Sequence, residues 1–146
     1  MKIHVLNTGF FKLDGGAMFG VVPKSLWSRT NPADENNMCS WALRSLLIED
    51  GDRLMLIDTG MGDKQSDKFF SHYYIHGTDS LDHNLNKLGF SKDDITDVFL
   101  THLHDDHCSL FPLLLMPRKV NIISTKQIYE MAMDKLSCHI NWDIDV

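Results

Sequence analysis

Apolar and polar positions alternate along the first part of the chain, and this period of two predicts strands. Residues 2–6 read as one, and Asp14-Gly15-Gly16 as a turn, so residues 2–22 are expected to form a hairpin. The polar stretch 23–37, with Pro32 inside it, reads as a loop. From Ser40 to Glu49, Trp41, Leu43, Ser45 and Leu47 alternate with Ala42, Arg44, Leu46 and Ile48. Both sets become apolar toward the end, as expected of an inner strand buried on two sides. Asp50-Gly51-Asp52 is a tight turn, and residues 53–58 return as a further strand.

The period then changes. Residues 67–76 are rich in aromatics (Phe69, Phe70, Tyr73, Tyr74) and predict a partly buried amphipathic helix or flap. His72 and His76 in it have helical i, i+4 spacing, but no third ligand lies nearby, so they are not taken as a metal pair. Leu81, Leu85 and Leu88 mark one face of a helix over 80–90 that ends at Gly89. A short turn at 91–95 leads into a buried strand at 97–101. A strand at 118–124 and a helix at 125–136 follow, the helix with Ile128, Met131, Ala132 and Met133 toward the sheet. The result is an α/β fold with a mixed sheet and helices on one face.

Chemistry concentrates at the end of the strand at 97–101. Thr101-His102-Leu103-His104-Asp105-Asp106-His107 places three imidazoles and two carboxylates within seven residues. On an extended backbone His102 and His104 share a side. A turn into a helix at Asp105 would bring Asp106 and His107 back toward them. Imidazole nitrogen and carboxylate oxygen suit zinc, and also iron or manganese. His102, His104, Asp106 and His107 are therefore candidate ligands for divalent metal. Cys108 points about 100° away from His107 on a helix and reads as a small buried hydrophobe.

His102-x-His104-x-Asp106-His107 resembles the signature of the metallo-β-lactamase superfamily, which also sits at a strand end. Leu56-Ile57-Asp58-Thr59-Gly60 is similar to the strand-end motif preceding it in that family, and residues 16–24 resemble the N-terminal hairpin of its lactonase-like members. The resemblance implies the N-terminal half of an αββα sandwich and a zinc-dependent hydrolase of small molecules, in which His102 and His104 hold one metal ion and Asp106 and His107 a second beside it. In such enzymes metal-activated hydroxide attacks a lactone or ester-type bond. Asp106 would orient that nucleophile and pass a proton to the leaving group, and Asp58 would support the metal loop by hydrogen bonds. Phe19, Trp27 and Arg29 would either border the site or, for the two aromatics, simply pack on the sheet.

The sequence departs from the family after Cys108. Ser109-Leu110 stands where glycines are usual, and the ligands that the family draws from its second half have no counterpart before Val146. His139, Asp143 and Asp145 lack the family context and take no role. Residues 1–146 are thus expected to be a single domain, truncated after the first half of the fold. The alternative to an active hydrolase is an inactive relative, or an interaction module that binds metal weakly and needs a second copy or a complementary chain.

Composition excludes several other classes. A net charge of −6 with scattered basic residues gives no nucleic-acid footprint. The most apolar run, 110–116, is too short to span a membrane and contains Pro112. Three cysteines without CxxC spacing and no visible signal peptide point to a reducing compartment, with the cytoplasm as the default.

Overall fold

The computed structural model describes residues 1–63, 65–102, 104 and 121–137, with the backbone alone for 132–137. Five strands form one sheet in the order β1-β2-β3-β4-β5: Lys2–Asp14, Met38–Asp50, Arg53–Ile57, Asp97–Phe99 and Asn121–Ile123. β1, β2 and β3 run antiparallel, whereas β3, β4 and β5 run parallel. The helices are α1 (Gly15–Phe19), α2 (Lys24–Trp27), α3 (Asp67–Ser71), α4 (Leu81–Lys87) and α5 (Lys126–Ser137). This is the expected mixed α/β sheet.

One face of the sheet is covered by helices. Leu6, Leu47, Leu54, Leu56, Val98 and Leu100 form its core with Leu85 of α4, and Leu81, Phe90 and Ile128 pack against them. Burying such side chains contributes about 1.5–3 kcal/mol each. β1 keeps Leu6 and Phe11 buried on this face through a bulge. The register shifts between Asn7 and Gly9, so Leu6 pairs with Ser45 and Phe11 with Trp41. An inserted residue, Thr8, therefore changes which positions face inward, from even before it to odd after it.

Several expectations need correction. Residues 2–22 are not a hairpin: β1 runs unbroken to Asp14, and its antiparallel partner is β2. Asp14 caps a helix instead of making a strand turn, its Oδ1 accepting from Ala17 N at 2.9 Å while Asn37 Nδ2 donates to Oδ2 at 3.0 Å. Residues 16–24 accordingly hold most of α1 and the start of α2, with no lactonase-like hairpin. The loop at 23–37 contains α2. Leu88 is not on the buried stripe of α4 but caps it, 37% exposed. The chain closes there with Phe90 N and Gly89 N donating to Leu85 O and Asn86 O, which turns Phe90 into the core in its place. On α5, Ile128 meets the core, but Met131 is 51% exposed.

β4 is anchored by a charge. Asp97, expected only as a polar boundary, is 1% exposed. Arg53 of β3 donates to both its oxygens at 3.0 and 2.7 Å, Thr96 Oγ1 lies 2.7 Å from Oδ2, and Asn121 of β5 donates at 3.1 Å. The Arg53 guanidinium first, then Thr96 and Asn121, hold this carboxyl well below the usual carboxylate range, against the opposing effect of burial. A lowered pKa stabilises the fold while the unfolded chain's carboxylate is ionised, above about pH 4. That contribution disappears as pH falls from there toward the folded-state value. Thermal melts from pH 7 to pH 3 should show falling stability, and Asp97→Asn should be less stable at pH 7 with a flatter acid limb.

The opposite face carries Leu46, Ile48, Met55, Ile57 and Phe99, each only half-buried, while Ile3 and Val5 are 54% and 67% exposed. A continuous apolar face of this kind favours association. The 146 residues expressed alone should form dimers or larger species in light scattering at micromolar concentration. A monodisperse monomer that binds no hydrophobic dye is the contrary result.

Candidate metal centre

Parallel pairing of β3 and β4 brings their carboxyl ends side by side, the usual place for a site in such sheets. β3 leads into Asp58 and β4 into Leu100 and Thr101. Asp58 is 7% exposed and has φ 59°, a left-handed conformation that Asp adopts more readily than most residues. Its N–H donates to Phe99 O at 2.9 Å, which continues the ladder by one rung. Gly60 follows with φ 68°, and a Cβ there would come within 2.6 Å of Thr8 Oγ1. Only glycine suits that position.

The inverted backbone turns the Asp58 carboxylate onto the neighbouring strand end. Thr101 N donates to Oδ1 at 2.9 Å, and Thr101 Oγ1 lies 2.9 and 2.7 Å from Oδ1 and Oδ2. The same hydroxyl oxygen is 2.9 Å from His102 Nδ1. A carboxylate only accepts, so the hydroxyl proton is directed to Asp58, and the threonine oxygen must then accept from His102 Nδ1–H. This places the imidazole lone pair on Nε2, the form required of a metal ligand. Thr101 was not singled out in the sequence, because its contact with Asp58 spans 43 positions.

His104 stands beside His102, their rings edge to face with centroids 4.7 Å apart. The other expected ligands, Asp106 and His107, lie outside the described residues, as do Cys108, His139, Asp143 and Asp145. Among the described residues no group of three or more His, Cys, Asp or Glu is gathered for a metal ion. The donor chemistry of the described pair, two neighbouring imidazoles with one tautomer set by Thr101, fits zinc.

The remaining histidine pair is separated. α3 ends at Ser71, so His72 and His76 are not on one helix. Residues 73–76 instead follow the outer edge of β1, with Lys12 N donating to Tyr73 O and His76 N to Phe10 O. His76 Nε2 lies 2.7 Å from Ser40 Oγ and Nδ1 3.0 Å from Tyr74 O. Phe19 and Trp27 pack on each other, stacked at 4.8 Å, and Phe19 also meets Trp41 at 5.5 Å; Arg29 is exposed.

Comparison with known proteins places this arrangement. The family model described as the metallo-beta-lactamase superfamily matches residues 44–144. The chain belongs to that superfamily. Among solved structures, a probable metal-dependent hydrolase from Staphylococcus aureus is 30% identical with a TM-score of 0.73, aligning over 97% of this chain and 53% of its own. AidC, a dizinc quorum-quenching lactonase solved with the product N-hexanoyl-L-homoserine, is 24% identical at a TM-score of 0.62, over 94% of this chain and 49% of its own. AiiA from B. thuringiensis, solved with N-decanoyl-L-homoserine at its active site, is 21% identical at 0.60, over 90% and 51%. This member of the superfamily thus spans about half the length of the solved relatives it matches. No curated protein sequence matches it. No helix among the described residues is long and apolar enough to cross a membrane.

The Asp58–Thr101 contact is testable by itself. Thr101→Val and Asp58→Asn should each lower stability by about 1–3 kcal/mol, as expected for a hydrogen bond to a buried charge. Asn tolerates the left-handed backbone, so Asp58→Asn isolates the charge. Denaturant titration of the double variant should show less than the sum of the two losses, by about 1 kcal/mol.

Proposed function

We propose that these residues form the metal-binding half of a zinc-dependent hydrolase that opens a lactone or ester-type bond in a small molecule. The observation supporting this most directly is the His102–Thr101–Asp58 chain of hydrogen bonds, with His104 beside it, at the carboxyl ends of two parallel strands. The lactonase substrates of structurally similar proteins point to the bond class. His102 and His104 would hold one ion, and Asp106 and His107 a second; iron or manganese would suit the same donors. When bound, the metal supplies Lewis acidity toward a carbonyl oxygen and makes water nucleophilic near neutral pH. Asp58 and Thr101 hold His102 in the ligating tautomer. Asp106, through its carboxylate, takes a proton from the attacking water and delivers it to the departing alkoxide oxygen. No serine or cysteine nucleophile enters.

A second reading is that these 146 residues bind metal without turnover and act only with a second copy or a complementary chain. It rests on the apolar face of the sheet opposite the helices, where Ile3 and Val5 are exposed.

Protein purified without chelator should contain zinc by elemental analysis, and the His102→Ala, His104→Ala double variant should lose most of it. Asp58→Asn should weaken metal binding about 10–100-fold. With a simple lactone, Asp106→Asn should abolish most of any activity, and Cys108→Ser should keep a large part. Equal metal in wild type and the double variant would overturn the proposal, and metal without turnover favours the second reading.

A further inference from the structure

A second pair of reactive side chains stands outside the metal centre, where residues 73–76 run along the outer edge of β1. His76 is fixed there from three directions. Its N–H donates to Phe10 O at 2.9 Å, its ring rests against the Phe10 ring at 5.8 Å, and its Nδ1 lies 3.0 Å from Tyr74 O. A carbonyl oxygen only accepts, so Nδ1 carries the proton and the neutral ring keeps its lone pair on Nε2. That nitrogen is 2.7 Å from Oγ of Ser40, an exposed residue of β2, whose hydroxyl therefore donates to it. A nucleophile, its base and a group that orients the base are thus joined in order.

Lys12 supplies the charge beside this pair. It lies directly opposite Ser40 across β1 and β2, so both side chains stand on the same side of the sheet. Lys12 N donates outward to Tyr73 O at 2.7 Å, which makes this the closer, non-hydrogen-bonded kind of strand pair. Its ammonium has three donors, and Asp34 Oδ2 accepts from Nζ at 2.7 Å, which leaves donors for a developing negative charge. An exposed site with one cation in place of an enclosed oxyanion hole gives little help to a poor leaving group, so an aryl ester suits it. We infer that Ser40 and His76 form a nucleophile–base pair that accepts an acyl group from a small activated ester, with Lys12 facing the carbonyl oxygen. As Ser40 Oγ bonds to the carbonyl carbon, its proton passes to His76 Nε2 and then to the departing oxygen as the ester C–O bond breaks. Water, deprotonated by the same nitrogen, later releases the acid and restores the serine. Leu46 pairs with Ile57, next to Asp58, and Ser40 lies six residues earlier in β2, about 20 Å away along an extended strand. The pair shares no residue with the metal centre.

p-Nitrophenyl acetate tests this on the full chain carrying His102→Ala and His104→Ala, so that the metal centre contributes nothing. Peptide mapping by mass spectrometry should locate an acetyl group on Ser40, and that group should leave again once the ester is removed. Ser40→Ala in the same background should lose this acetylation while any on surface lysines remains. His76→Gln should slow both acetylation and deacetylation of Ser40 by about 100-fold. Lys12→Met should slow acetylation about tenfold, the value of one hydrogen bond to a charge. Each variant should melt cooperatively, which separates lost chemistry from lost structure. Absence of an acetyl group on Ser40 would overturn the inference. So would acetylation of Ser40 at the parent rate in His76→Gln or Lys12→Met.

Discussion

The structure turns on one carboxylate received across two strand ends. Asp58 closes β3 in a left-handed conformation and accepts hydrogen bonds from both the main chain and the hydroxyl of Thr101, just beyond β4. Without that inversion an aspartate continuing the strand would project roughly perpendicular to the sheet. With it, the carboxylate is buried against the loop that carries the histidines. Its charge is compensated by donors instead of water, which buried carboxylates require. The contact sets the direction of the hydroxyl proton, and the hydroxyl in turn sets the tautomer of His102. A constraint on the backbone thereby becomes a constraint on which nitrogen can bind a metal.

The parallel part of the sheet needs such fastening at both ends. β4 is three residues long and pairs with β3 and β5 over three positions each. So short a strand has few ladder bonds to hold it. At its start Asp97 ties β3, β4 and β5 together through Arg53 and Asn121; just past its end Thr101 is held to Asp58. The two anchors are physically different. Asp97 pairs with a half-exposed guanidinium, whereas Asp58 accepts from a hydroxyl and an amide.

The two faces of the sheet are unlike. The face under α4 and α5 is packed with leucines, and the β1 bulge at Thr8 lies at its edge. The other face is apolar but only half-covered among the described residues. Such a face suits a second layer, and the solved relatives are about twice as long as this chain.

The sequence alone determined the order and type of most elements. Regular alternation identified β2 and β3, the 81–85 spacing and Gly89 bounded α4, and the density of ligands in 101–107 located the chemistry, because these signals are local and periodic. It also carried the family resemblance that the family model matches over residues 44–144. Tertiary structure decided everything that depends on partners distant in the chain. Asp14-Gly15-Gly16 has the composition of a turn, yet Asn37 and the N-terminus of α1 take its hydrogen bonds. Asp97 looks like a strand boundary until Arg53 and Asn121 surround it. Thr101 looks like the last residue of a strand until Asp58 meets it from 43 positions away. A carboxylate or hydroxyl has the same appearance in a sequence whether water or protein satisfies it. Only the packing of the strands determines which.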